Sequence, residues 1–108
     1  MIDWNRISEL HEEIGEDDFH EIVELFLEEV EDALTRLDNS DSAALSADLH
    51  YLKGSSLNLG FESLADLCKA GEAAISAGLP VNVSDFSATF HKAREVFALG
   101  ISQDLAAS

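Results

Sequence analysis

The fold is decided within residues 45–60, which read LSADLHYLKGSSLNLG. At about 100° per residue, one side of a helix collects five of these side chains: Leu45, Leu49, Leu52, Ser56 and Leu59. A stripe with spacings of four and three residues is typical of a helix that buries one face. Gly60 follows the stripe, and glycine commonly ends helices. The stretch therefore predicts a helix over residues 41–59, capped at its start by Ser40 or Asp41.

Apolar residues recur at helical spacing in the rest of the chain as well. They predict helices over residues 3–14, 17–38 and 61–77. A last helix begins after Asn82 or Ser84 and carries the series Phe86, Phe90, Ala93, Phe97, Ile101 and Leu105. No stretch alternates apolar and polar residues long enough to be a convincing strand. We therefore expect an all-α single domain over residues 1–108, an antiparallel up-and-down four-helix bundle with an additional short N-terminal helix.

Charge and composition exclude several classes of protein. The chain has 22 Asp and Glu against six Lys and Arg, a net charge of -16. Nucleic acids and anionic membranes bind basic surfaces, so neither is an expected partner. The sequence shows no pattern of a signal peptide or a membrane span. The single cysteine, Cys68, is consistent with a reducing compartment, and we expect it to be a small core residue. We expect a free-standing cytoplasmic protein, and charge repulsion favours a monomer.

A glycine inside the third predicted helix needs an explanation, because glycine costs about 1 kcal/mol relative to alanine there. His50 lies about 140° from the centre of the leucine stripe and so points to water. Along its own face lie Ala43 and Ala47 on one side and Gly54 and Leu57 on the other. Gly54 therefore predicts an uncrowded approach to the imidazole.

The residues near His50 indicate which chemistry is plausible. A neutral imidazole is a good nucleophile near pH 7. Lys53 lies on the same side, where its ammonium is expected close to the ring and able to neutralise phosphoryl oxygens. No carboxylate that would orient the ring as in a hydrolytic triad comes from its helix neighbours Ser46, Ala47, Lys53 and Gly54. The chain also has no glycine-rich phosphate loop. The pattern predicts a phosphoryl acceptor whose chemistry a partner completes.

Three segments form a further pattern: His50-x-x-Lys53-Gly54-Ser55-Ser56, Asn58-Leu59-Gly60 and Leu64-Ala65-Asp66-Leu67-Cys68-Lys69. Together they resemble the histidine-containing phosphotransfer domain of bacterial and fungal phosphorelays, over roughly residues 17–106. The resemblance implies a bundle of four antiparallel helices with an extra N-terminal helix. It also implies a phosphohistidine carrier without kinase activity of its own, which moves a phosphoryl group between aspartates of receiver domains.

The resemblance assigns a role to several residues. It makes His50 the phosphorylated residue, Lys53 an aid to the phosphoryl group and Gly54 the opening for access. The expected partners are receiver domains of response regulators and of a hybrid histidine kinase, with Mg²⁺ held by the receiver and no cofactor in this chain. Ala47, Leu57 and Lys69 are the expected partner contacts.

Two other functions remain open at this stage. They are the phosphoacceptor domain of a multidomain histidine kinase and a non-catalytic helical adaptor module. The remaining histidines add little, because Asp17 and His20 have the spacing of a bundle metal site but find no second carboxylate–histidine pair. We therefore predict no metal site, and a surface or boundary position for His91.

Overall fold

The computed structural model describes residues 2–38 and 41–107, and beyond residue 100 it describes the backbone alone. Its five helices are α1 (Trp4–Ile14), α2 (Glu16–Thr35), α3 (Ser42–Asn58), α4 (Glu62–Ser76) and α5 (Ser84–Ala107). No strand occurs in the described ranges, where Ile2 and Phe61 form an isolated bridge. The all-α prediction is confirmed. Ser40 and the side chains of Ile101 and Leu105, which figured in the predictions, lie outside what the structure describes.

Helix ends follow local capping chemistry. Asp3 accepts a hydrogen bond from the Arg6 N–H at 3.2 Å, and Asp41 accepts two, from Ala43 and Ala44 at 3.1 and 3.2 Å. Both aspartates thus satisfy backbone donors that the first helical turn leaves unpaired. Of the two cap candidates for the third helix, Asp41 is the one that the structure shows.

The second helix ends three residues earlier than its apolar pattern predicts. The N–H groups of Arg36 and Leu37 donate to the carbonyls of Ala33 and Leu34 over three-residue spacings, which tightens the chain into a turn. Leu37 nevertheless stays buried. Because an apolar residue in a turn can pack as a helical one does, its burial alone could not mark the end of the helix.

The core collects buried residues of α2, α3, α4 and α5, together with Ile7 and Leu10 of α1. The predicted stripe of α3 is fully or almost fully buried. Its one polar member, Ser56, donates its hydroxyl to the Leu52 carbonyl at 2.7 Å. Facing aromatic residues fill the other side of the core: Phe61, Phe86, Phe90 and Phe97. With one face of α3 fixed in the core, the opposite face is necessarily the one that carries His50.

The N-terminal segment is fastened across the turn between α3 and α4. Asp3 donates its N–H to the Gly60 carbonyl at 2.7 Å, and Arg6 donates its side-chain Nε to the Asn58 carbonyl at 3.1 Å. Trp4 stacks on Phe97 of α5, with ring centroids 6.2 Å apart. The first helix is therefore an added piece that closes one end of the bundle, as predicted.

Candidate functional site

The acceptor candidate His50 lies on the open face of α3. Its side chain is 74% exposed, whereas Leu49 and Leu52 beside it in the sequence are fully buried. Burial of the leucine stripe thus turns the imidazole toward water, as the helical periodicity predicts.

Gly54 leaves open space one turn beyond His50. A Cβ built on Gly54 meets no atom within 4 Å, apart from its chain neighbours and the backbone of its own helix. Ala47, one turn on the other side, is exposed and contributes only a methyl group. The geometry that the sequence predicts around the imidazole is therefore present.

A carboxylate from α4 reaches both His50 and Lys53. Glu72 places Oε2 3.6 Å from His50 Nδ1 and Oε1 3.0 Å from Lys53 Nζ. The neighbours of His50 on its own helix supply no carboxylate, as the sequence indicates, and the carboxylate near the ring comes from the next helix. Lys53, which was expected near the ring, pairs its ammonium with the same carboxylate that contacts the ring.

The Glu72–Lys53 pair is only partly open to water. The two side chains are 25% and 22% exposed. Glu72 Oε1 is buried and has no hydrogen-bond partner of good geometry within the described residues, so the ammonium neutralises it through charge. The 3.6 Å contact between Glu72 and His50 is likewise longer than a hydrogen bond and acts through charge.

Cys68 lies in the core one turn before Glu72 on α4. Burial raises the pKa of its thiol from 9.0 to about 12; Glu72 also raises it, and Lys53 opposes the shift. The thiol is therefore neutral and packed as a small apolar group, which confirms the core position predicted for it.

The predicted partner contacts are open on the surface around the acceptor. Leu57 is 47% exposed although it is a large apolar residue, and Ala47 and Lys69 are exposed as well. Lys69 is on α4, three residues before Glu72, and so lies on the same side of that helix. All three predicted contacts are thus exposed on the two helices that carry His50 and Glu72.

The other histidines form no comparable site. His11 and His20 lie against the ring of Phe19, with centroids 4.8 and 6.0 Å away, and His91 is exposed on α5. Among the described residues, no group of three or more His, Cys, Asp or Glu side chains is arranged to hold a metal ion. The helices in the same part of the chain include none with the length and apolarity of a membrane span.

Sequence reasoning missed Glu72, although a signal for it exists. His50 lies ten residues before Gly60 and Glu72 twelve residues after it. In an antiparallel helix pair joined by a tight turn, positions at similar distances from the turn lie at the same level. Reflecting His50 across Gly60 therefore points to the region of Glu72.

Comparison with known proteins identifies the family. The profile of the Hpt domain matches residues 21–101, well over half of the chain. No curated protein and no solved structure matches significantly. The match includes α3 and α4 with the whole His50 site and leaves α1 outside. The chain therefore belongs to the Hpt domain family, the phosphocarrier modules of two-component signalling.

Proposed function

We propose that the chain is a phosphohistidine carrier in which His50 takes a phosphoryl group from the aspartate of one receiver domain and passes it to another. The observation that carries the proposal is the solvent-facing imidazole beside the open position at Gly54. A phosphoryl group held in another protein can reach such a ring without displacing any part of this chain.

The position of Glu72 supports attack through Nε2. Its carboxylate lies 3.6 Å from His50 Nδ1 and favours the tautomer that carries the proton there. The lone pair of Nε2 then attacks the phosphorus atom. The new N–P bond forms as the P–O bond to the receiver aspartate breaks, and the aspartate leaves as a carboxylate. The ring gains positive charge in this step, and the Glu72 carboxylate stabilises that charge.

Lys53 acts in two ways in this proposal. Its ammonium, 3.0 Å from Glu72 Oε1, holds the carboxylate in place. The flexible side chain also allows it to move toward the phosphoryl oxygens when they arrive. Mg²⁺ held by the receiver would supply the remaining charge stabilisation, and the return transfer to a second receiver reverses the same bond changes.

Transfer from a phosphorylated receiver tests the proposal. With a receiver carrying labelled phosphate and Mg²⁺ present, we expect an acid-labile, alkali-stable label on the wild-type chain. Replacement His50→Gln should abolish it, and His91→Gln, the matched change of an exposed histidine on α5, should retain it. Nitrogen NMR of the product should place the phosphorus on Nε2.

Two results would count against the proposal. A label that survives His50→Gln would place the acceptor elsewhere. A receiver complex that forms equally well with His50→Gln, with no label on either protein, would instead indicate an adaptor module.

A further inference from the structure

An arginine lies over an exposed tyrosine next to the acceptor. The guanidinium carbon of Arg36 is 5.6 Å from the centroid of the Tyr51 ring, within the range of a cation–π contact. Tyr51 follows His50 directly and is 48% exposed. Arg36, the exposed residue that ends α2, therefore lies on the side of α3 that faces α2, opposite the Glu72 side.

Beyond its contact with Tyr51, the side chain of Arg36 has no hydrogen-bond partner among the described residues. Arg6, Lys53 and Arg94 all form ion pairs with glutamates. Arg36 forms none within the described part of the chain, and its side chain donates no hydrogen bond there. A guanidinium that rests on an aromatic face still presents N–H donors along its edge, in the fork that fits a carboxylate. Arg36 is thus oriented by a ring while its donors are available to a partner.

The distribution of charge indicates what kind of partner fits. Of the six Lys and Arg in the chain, Arg36 caps α2, Lys69 is exposed on α4 and Lys53 on α3 is already paired with Glu72. An acidic group on a partner is attracted at short range by Arg36 and Lys69, whereas the chain as a whole, with its net charge of -16, repels it. Arginine and tyrosine are also the residue types that dominate the binding energy of protein interfaces.

We propose that Arg36, oriented by the Tyr51 ring, binds a surface carboxylate of the docking receiver domain and so selects among receivers. The inference rests on the proposed function, because it requires that a receiver dock on the His50 face. The carboxylate is distinct from the aspartate that exchanges the phosphoryl group. Arg36 therefore contributes to receiver affinity and takes no part in the bond changes at phosphorus.

Transfer kinetics with a set of receivers test this role. The probes are purified receiver domains from the source organism, each phosphorylated with acetyl phosphate in Mg²⁺. For at least one receiver, we expect Arg36→Gln to raise KM about tenfold and to leave kcat within about twofold. The increase should shrink in high salt, since it reflects an ion pair at the protein surface.

Matched variants separate the proposed contact from simple charge effects. Lys92→Gln removes one positive charge from an exposed position on α5 and should leave KM within about twofold. Arg36→Lys should recover only part of the affinity, because an ammonium lacks the planar fork. Tyr51→Phe should retain the effect of the ring and Tyr51→Ala should lose it.

The outcomes distinguish this inference from the function it rests on. If His50 takes label from receivers but Arg36→Gln leaves every KM unchanged, or matches Lys92→Gln, the selecting role of Arg36 is wrong and the carrier function stands. A loss of kcat at constant KM would also overturn it, because Arg36 would then act on the chemical step. If the wild-type chain takes label from no receiver, the proposed function and this inference both fail.

Discussion

Substitution of Gly54 should move stability and activity in opposite directions. Apart from its chain neighbours and the backbone of α3, a Cβ at this position meets no atom within 4 Å, so alanine fits without strain. Alanine in a helix interior is favoured over glycine by about 1 kcal/mol. We therefore expect Gly54→Ala to raise the free energy of unfolding by about 1 kcal/mol, and the melting temperature by about 4 °C.

The cost to transfer depends on the size of the added side chain. Gly54 lies on the face of α3 that exposes His50, whose side chain is 74% open to water. Reacting atoms must come within about 3.5 Å, and a misplacement of about 1 Å can cost up to about a hundredfold in rate. Gly54→Gln places a longer side chain where the receiver must approach. We expect it to slow transfer at least about tenfold, with helix content unchanged or increased, and Gly54→Ala to slow it less.

Two measurements on the same variants check this prediction. Urea unfolding followed by circular dichroism gives stability, and single-turnover transfer from a phosphorylated receiver gives the rate. Ala44→Gln is the control, because it adds the same side chain to an exposed position of α3 about 120° around the helix from His50. If Gly54→Gln transfers as fast as the wild type, the glycine does not serve access. If it destabilises the fold, the glycine serves packing instead.

Three further outcomes follow from the site and its supports. Glu72→Gln should slow transfer about threefold. A full charge about 4 Å from the ring contributes about 1 kcal/mol in water, and the ring gains only part of a charge in the transition state. Asp66→Asn, which removes an exposed acid from the same helix, should slow transfer less, and equal effects would contradict a specific role of Glu72. Burial raises the pKa of the Cys68 thiol to about 12, so the neutral thiol stabilises the fold fully below pH 9 and this stabilisation is lost as the pH rises toward 12. The difference in unfolding free energy between wild type and Cys68→Ala should therefore be about 1.4 kcal/mol smaller at pH 10 than at pH 8. A difference that does not change with pH would refute the raised pKa. Gly60→Ala should lower the free energy of unfolding by about 2 kcal/mol or more, because φ is +71° and the new Cβ would lie 2.7 Å from the Asp3 carbonyl oxygen. Gly78→Ala, at φ +74° in open space, measures the cost of the backbone conformation alone. Equal losses in the two variants would show that the contact with Asp3 is unimportant.

The sequence was informative where the answer depends on one helix. The leucine stripe placed Leu49 and Leu52 in the core, and the same periodicity placed His50 in water and Gly54 beside it, as the structure confirms. These positions follow from about 100° of rotation per residue and the burial of one face. Nothing outside α3 is needed to derive them.

Contacts between helices do not follow from the helical periodicity, and the level of Glu72 could be inferred only from the position of the turn at Gly60. Glu72 belongs to α4, and Arg36 meets Tyr51 from the end of α2. Periodicity shows which face of each helix is buried, but not which level of one helix meets which level of another. That register depends on turn geometry and on how closely the helices approach. The charge partners of His50 and its neighbours were missed for this reason, while its exposure was predicted correctly.

The close approach of α3 and α4 connects the two parts of the site. Gly71 precedes Glu72 directly, just as Leu49 precedes His50, and a Cβ on Gly71 would lie only 2.8 Å from Leu49 Cδ1. A side chain at Gly71 would therefore force the end of the Leu49 side chain to move, next to the level where Glu72 meets the imidazole. The two glycines of the site thus act on different helices and by different means. Gly54 keeps the outer face of α3 open to a partner, and Gly71 lets α4 pack closely enough for its carboxylate to reach the ring. The exposure of the imidazole thus depends on one helix, whereas its charge environment depends on the packing of two.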